Sequence, residues 1–182
     1  MRRHGGFSIT ELMVVVAIVA ILLGIGAPSY RYITNSYRMS AEVNGLLGDL
    51  QYARAEAIRQ GQYATACVSS DGVSCTGDTD WAKGWIVFSV SDPNNNQTVT
   101  AGVLRVQGAF TGTTPDTFIA DSSVTAITYN REGFATTAAG FAGTTLTLHD
   151  STANSAWSRC LVITAVGLMT TQTHVSNPGT CT

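Results

Sequence analysis

The sequence is poor in charge. Ten lysines and arginines face twelve aspartates and glutamates across 182 residues, a formal net charge of −2. Arg2 and Arg3 are two of those ten cations, so the chain beyond them holds eight against twelve and sits at −4. Duplex nucleic acid is bound by clustered cations that neutralise phosphates, and a few scattered ones make it an unfavoured partner. Catalytic signatures are missing too: there is no G-x-S-x-G elbow, no H-E-x-x-H pair and no glycine loop built to cradle phosphate. Neither an enzyme nor a cofactor is expected. Histidine is confined to His4, His149 and His174, and the cysteines lack paired C-x-x-C spacing, so a zinc centre would find few ligands at useful intervals. His149 beside Asp150 invites a hydrolase reading, but neighbours in sequence are not neighbours in geometry. Both His149 and His174 read as ordinary strand or edge residues.

The four cysteines, Cys67, Cys75, Cys160 and Cys181, speak for an exported chain, because disulfides persist outside the reducing cytosol. Three connectivities can be drawn from four cysteines. Proximity favours Cys67 with Cys75, closing a short Gly-rich loop, and Cys160 with Cys181, tying down the C-terminal tail.

What the chain has in abundance is one apolar run. From Phe7 to Tyr30 the only charge is Glu11, and roughly 24 residues of helix would reach about 36 Å, enough to cross a bilayer core. Arg2 and Arg3 ahead of the run place its N-terminus in the cytoplasm and send everything after Tyr30 outward. A secretory signal with a cut near Gly26-Ala27 is the competing reading; Pro28 spoils that site. An acid in a membrane segment costs on the order of 2.5 to 3.5 kcal/mol, so Glu11 calls for a partner or a snorkelling path to the headgroups.

The stretch "GGFSITELMVVVAIVAILLGIGAPSY" resembles the class III signal of type IV pilins and pseudopilins. The resemblance implies that a prepilin peptidase removes residues 1–6, cutting between Gly6 and Phe7, and methylates the new amino group of Phe7. It further implies that residues 7–30 are kept, first as a single-pass inner-membrane anchor and then as filament core. Glu11 would meet the Phe7 amine of a neighbouring subunit. Gly24, Gly26 and Pro28 weaken or kink the helix, since a proline removes a backbone bond.

Beyond the membrane the pattern turns periodic. Met39, Val43, Leu46, Leu47, Leu50, Ala53, Ala57 and Ile58 recur every three or four residues, which predicts an amphipathic continuation over 31–60 with Gly61 as its stop. Residues 61–182 read as a β-rich exported head. Its candidate strands are "YATACVS", "GWIVFSV", "GVLRVQ", "VTAITYN", "TLTLHD", "RCLVITAV" and "LMTTQTHV". One sheet face should receive the helix stripe, since neither element can bury its apolar side alone. Asp71, Asp78 and Asp80 do not match a calcium loop and read as a solvated acidic turn. Trp85 reads as a core anchor. Trp81 is expected at the surface near a subunit contact, on the same side as Lys83 and Trp85 of an extended segment.

The order of "YARAEAIRQGQ", "WAKGWIVFSV", "VLRVQG", "YNREGFAT" and "CLVITAVGLMTT" is similar to the minor pilin and minor pseudopilin group of FimU, FimT and GspH. That resemblance implies an α+β pilin-like fold, a long N-terminal α-helix packed on antiparallel β-sheets. It also implies a structural subunit near the tip of a type IV pilus, partnered by the peptidase, the inner-membrane assembly platform, other minor pilins and the major pilin. A Gram-negative envelope and cell surface is the implied location. A GspH-like pseudopilin of type II secretion is the first alternative. A FimT-like DNA-uptake pilin is the second and would need Arg105, Arg131 and Arg159 to converge. The Gly-Arg that often precedes the last strand in FimU and FimT relatives is replaced here by Gly167-Leu168, so DNA binding does not carry over.

Overall fold

The computed structural model describes residues 8–92, 98–99, 102–111, 116–121, 124–137, 140–174, 176 and 181. Helix α1 (Ile9–Gln60) runs through two compact units, residues 1–38 and 39–182. Its start follows Ser8, whose carbonyl accepts the Leu12 N–H at 3.1 Å, and Glu11 sits in the first turn. Its end is set by Gly61 at φ +65: the Gln62 N–H reaches back to the Ala57 carbonyl at 3.3 Å, a left-handed cap that suits glycine.

In the first unit every large apolar side chain from Ile9 to Ile25 is at least 46 % exposed. The helix there is long and apolar enough to cross a membrane. It is continuous through Gly24 and Gly26.

In the second unit the helix stripe is buried where the periodicity puts it. Met39, Val43, Leu46, Leu50, Ala53 and Ala57 share one core with the strands. Ile58 departs from that expectation: the stripe ends at Ala57, and Ile58 turns out to solvent. The strands are β1 (Tyr63–Val68), β2 (Gly84–Val90), β3 (Val103–Gly108), β4 (Thr117–Ala120), β5 (Ala126–Tyr129), β6 (Ala135–Thr136), β7 (Gly143–His149), β8 (Arg159–Thr164) and β9 (Met169–Thr173). All the pairings are antiparallel, in sheets ordered β3-β2-β1-β5-β6 and β4-β7-β8-β9. Ala64, Ala66, Val68, Trp85, Val87, Ile127 and Tyr129 bring the first sheet to the common core; Phe118, Leu146, Leu148, Leu161 and Ile163 bring the second. Alternation in β7 shows why: Thr144, Leu146 and Leu148 are buried while Thr145, Thr147 and His149 between and after them are half-exposed.

The other face of the first sheet has a smaller core of its own. Cys67, Ile86, Phe88, Val90 and Ala126 cluster there, with Cys75 and Val103 packed against them. Both expected disulfides are present, Cys67–Cys75 with Cα atoms 5.7 Å apart and Cys160–Cys181 at 5.5 Å.

The Trp81 expectation is corrected. Residues Trp81–Lys83 form a short 3-10 turn, not an extended run, and Trp81 is buried with its indole N–H donated to the Val124 carbonyl at 3.1 Å. The cause is Asp80, whose carboxylate accepts the N–H groups of Ala82 at 3.1 Å and Phe118 at 2.9 Å, capping the turn and tying it to β4.

Candidate functional site

The surface with the most to explain is α1 itself. Its first unit presents an apolar cylinder to solvent, and such a surface requires lipid or other helices around it. Glu11 lies three residues after Ser8, so Ser8 and Glu11 have the spacing of an N-terminal capping box, and the acid complements the helix dipole. The Ser8 hydroxyl itself lies 2.9 Å from that of Thr10. Gly6 and Phe7, the expected cleavage and methylation positions, lie outside the described residues, as does the side chain of Pro28. At Gly24 and Gly26 an added Cβ would meet nothing within 4 Å.

Past the first unit, α1 is fastened to the head by polar contacts as well as by its stripe. Asp49 accepts the Trp85 indole N–H at 2.9 Å and pairs with Arg105 at 2.9 Å, whose guanidinium also lies 4.2 Å from the centre of the Tyr52 ring. Arg54 donates Nε to the Gly133 carbonyl at 2.8 Å. Glu56 is buried and pairs with Arg59; hydrogen bonds from Arg59 and Gln60 hold its carboxyl well below the usual range against the opposing effect of burial.

The three arginines weighed as a basic patch are placed apart. Arg105 is on β3 at one edge of the first sheet, Arg131 follows β5 near the other edge, and Arg159 opens β8 in the second sheet. Each has its own local partner: Asp49 for Arg105, Glu132 for Arg131 at 2.8 Å, and for Arg159 the Ser40 hydroxyl and the carbonyls of Ala156, Trp157 and Ser158.

The acidic loop is spent on structure. Asp71 accepts the hydroxyl of Ser74 at 2.5 Å and the N–H groups of Val73 and Ser74 at 2.9 and 2.8 Å, which lower its pKa. Asp78 pairs with Lys83, and Asp80 caps the 3-10 turn. Among the described residues no group of three His, Cys, Asp or Glu side chains is arranged to hold a metal ion. His149 Nδ1 lies 3.1 Å from the Ser158 hydroxyl. Asp150 is occupied by the Thr152 hydroxyl at 2.7 Å and the Asn154 N–H at 3.0 Å, so it shapes its own turn and does not orient the imidazole. His174 Nδ1 meets the Cys181 carbonyl at 2.5 Å, a contact that fixes the tail beside the second disulfide.

The family model described as type II transport protein GspH matches residues 42–167, and that of the prokaryotic N-terminal methylation motif matches residues 1–27. Two solved structures of the type IV minor pilin FimU from Pseudomonas aeruginosa (strain PAO1), in different crystal forms, share the fold. One is 22 % identical, covers 82 % of this chain and 99 % of its own, and superposes with a TM-score of 0.61. The other is 23 % identical, with 80 % and 99 % covered and a TM-score of 0.55. No curated protein matches the chain.

Proposed function

This chain belongs to the GspH family of type II transport proteins, in the pilin and pseudopilin class, and we propose that it is a minor pilin, a subunit that enters a type IV pilus at or near its tip and helps to start assembly. The class supplies structural, non-enzymatic subunits that are anchored in a membrane and then join a filament. The observation that carries the reading is the exposed apolar helix joined to a packed, disulfide-stapled head. Such a helix is soluble only in a bilayer or in a bundle of its own kind, and moving from one to the other is assembly.

Processing supplies the remaining chemistry. A prepilin peptidase cuts between Gly6 and Phe7 and methylates Phe7, leaving a cationic amine beside the buried helix bundle. Glu11 of one subunit pairs with that amine on the next, so two charges that are costly alone in a low-dielectric core offset each other and set the register. Glu11→Ala is expected to be cleaved as usual yet to enter filaments poorly; normal incorporation would remove the pairing role. The assembly platform of the inner membrane, the major pilin and the other minor pilins are the partners this requires. Gly24, Gly26 and Pro28 mark where the helix gives way when a subunit leaves the bilayer.

The second reading is a pseudopilin of type II secretion, favoured by the family model over residues 42–167. Mass spectrometry of sheared surface filaments separates the two. A peptide beginning at methylated Phe7 is expected in the filaments. If the processed chain is found only in the envelope, with filaments well sampled, the secretion reading takes its place.

A further inference from the structure

Just past its apolar run, α1 changes chemistry. Tyr30, Arg31, Tyr32, Tyr37 and Arg38 follow in quick succession, and no acid lies anywhere from Leu12 to Ala41. Arg31 and Arg38 are nearly two full turns apart, so they share one helix face to within about 20° and are separated by about 10.5 Å along the axis. Tyr30 and Tyr37 flank that face on one side and Tyr32 on the other, exposed by 71 %, 74 % and 52 %.

The face is one surface. Tyr30, Arg31, Thr34, Asn35 and Arg38 line a single open groove of about 390 Å³. Arg38 donates Nε and Nη2 to Asn35 Oδ1 at 3.3 and 2.8 Å, which draws its guanidinium back along the helix toward Arg31 and the apolar run. Side chains on a helix lean toward its N-terminus, so Arg31 leans the same way. Thr34, between them, turns its hydroxyl to the Tyr30 carbonyl. The next acid, Glu42, stands one turn past Arg38, on the side away from the run.

Where the helix stands decides what fills the groove. The exposed apolar stretch ahead of it is long enough to cross a membrane, which sets Tyr30 at the lipid–water boundary, the depth that tyrosine rings favour. The groups at that depth that match arginine in shape and charge are phosphates, because the guanidinium fork takes two phosphate oxygens at once. A zwitterionic headgroup brings its own cation to the phosphate, whereas an anionic one leaves the charge to the protein.

We infer that the groove holds the headgroup phosphate of an anionic phospholipid in the outward-facing leaflet, with Arg31 and Arg38 on the phosphate and the tyrosines beside it fixing the depth of the helix. The inference rests on the membrane-anchored stage of the proposed function and adds a ligand to it.

The test places the full chain in phosphatidylcholine vesicles containing a phosphatidylglycerol with a photoreactive diazirine in its headgroup. After illumination, adducts are mapped by mass spectrometry. Labelling is expected at residues 30–38, and Arg31→Gln with Arg38→Gln is expected to lower it about five-fold or more, the equivalent of about 1 kcal/mol for a basic side chain at an anionic surface. Labelling ahead of Phe7, where Arg2 and Arg3 face the other leaflet, is expected to stay constant and serves as the internal reference. Arg31→Lys with Arg38→Lys, which keeps the charge, is expected to recover most of the labelling; no recovery would trace the loss to a disturbed helix and overturn the inference. Unchanged labelling in the glutamine variant, equal labelling by a phosphatidylcholine probe of the same design, or displacement by free glycerol phosphate would overturn it as well. If the chain fails to float with the vesicles at all, the membrane-anchored reading is wrong, and the lipid site falls with it.

Discussion

Asp49 on α1 accepts the indole N–H of the buried Trp85 on β2 at 2.9 Å, and its other oxygen takes Arg105 on β3. One helix carboxylate therefore joins the helix to two strands. The two bonds differ in weight, because Trp85 is sealed from water and Arg105 is half exposed. Asp49→Ala leaves the indole nitrogen buried without an acceptor and should cost about 1 to 3 kcal/mol. Arg105→Ala should cost under about 1 kcal/mol, the usual worth of an exposed pair, with its stacking on Tyr52 included. Urea unfolding of the detergent-solubilised chain measures both. Equal losses would mean that the ion pair, not the indole bond, fastens the helix.

The two disulfides make a second comparison. By loop entropy alone, closing 21 residues between Cys160 and Cys181 is worth about 3.3 kcal/mol, and closing 8 between Cys67 and Cys75 about 2.5. Packing argues for the reverse order, since Cys67 and Cys75 pin a loop against the buried cluster of Ile86, Phe88, Val90 and Ala126. Removing Cys67 and Cys75 together is expected to lower the melting temperature more than removing Cys160 and Cys181. The opposite ranking would show that chain entropy outweighs the cover.

How much of this was legible depended on whether a local pattern or a distant partner decided the outcome. The helix stripe from Met39 to Ala57 and the strands with strong alternation are written in residue spacing, and burial follows the spacing because one core lies on one side. β4 was missed because Thr117–Ala120 is only four residues long, and β6 because it is only two; both are held by the strand beside them. Trp81 was misplaced because the cap that curls its segment comes from Asp80, whose carboxylate also takes the N–H of Phe118, far along the chain. The approach of the turns at Gly133 and Gly167 was invisible for the same reason: the Ala135 to Ala165 hydrogen bond joins turns that nothing in their own sequences pairs.

Acid should loosen the end of α1. Hydrogen bonding from Arg59, and then from Gln60, lowers the Glu56 pKa from 4.5 to about 2. A carboxyl whose folded pKa is depressed contributes stability that is complete above its unfolded value and is lost as pH falls through the folded one. The window is therefore about pH 4.5 down to about 2, and Asp71, Asp78 and Glu132, lowered by their own hydrogen bonds, act in the same direction. Melting followed by circular dichroism should fall across that window. Glu56→Gln should be less stable at neutral pH and show a shallower fall, and added salt should narrow the difference because Arg59 is exposed. A variant with the same pH profile as the parent would remove Glu56 from the account.

Glycine substitutions should split by sign. Gly45 and Gly48 lie within α1 in the second unit, both exposed, and a Cβ at either would meet nothing within 4 Å. A helix-interior glycine costs about 0.8 to 1 kcal/mol relative to alanine, and nothing around these two requires it, so Gly45→Ala and Gly48→Ala should each raise stability by about that amount. In a chain of this size, that is roughly 2 to 4 °C in melting temperature. Gly133→Ala and Gly167→Ala should destabilise, because the backbone there is left-handed, Arg54 and Ile58 stand 3.0 Å from a Cβ at 133, and the Gly133 carbonyl would lie 2.3 Å from a Cβ at 167. Thermal melts of the four single variants test the contrast. If Gly45→Ala or Gly48→Ala lowers the melting temperature, the open space beside the helix is occupied in the folded protein, and the glycines are there to admit what fills it.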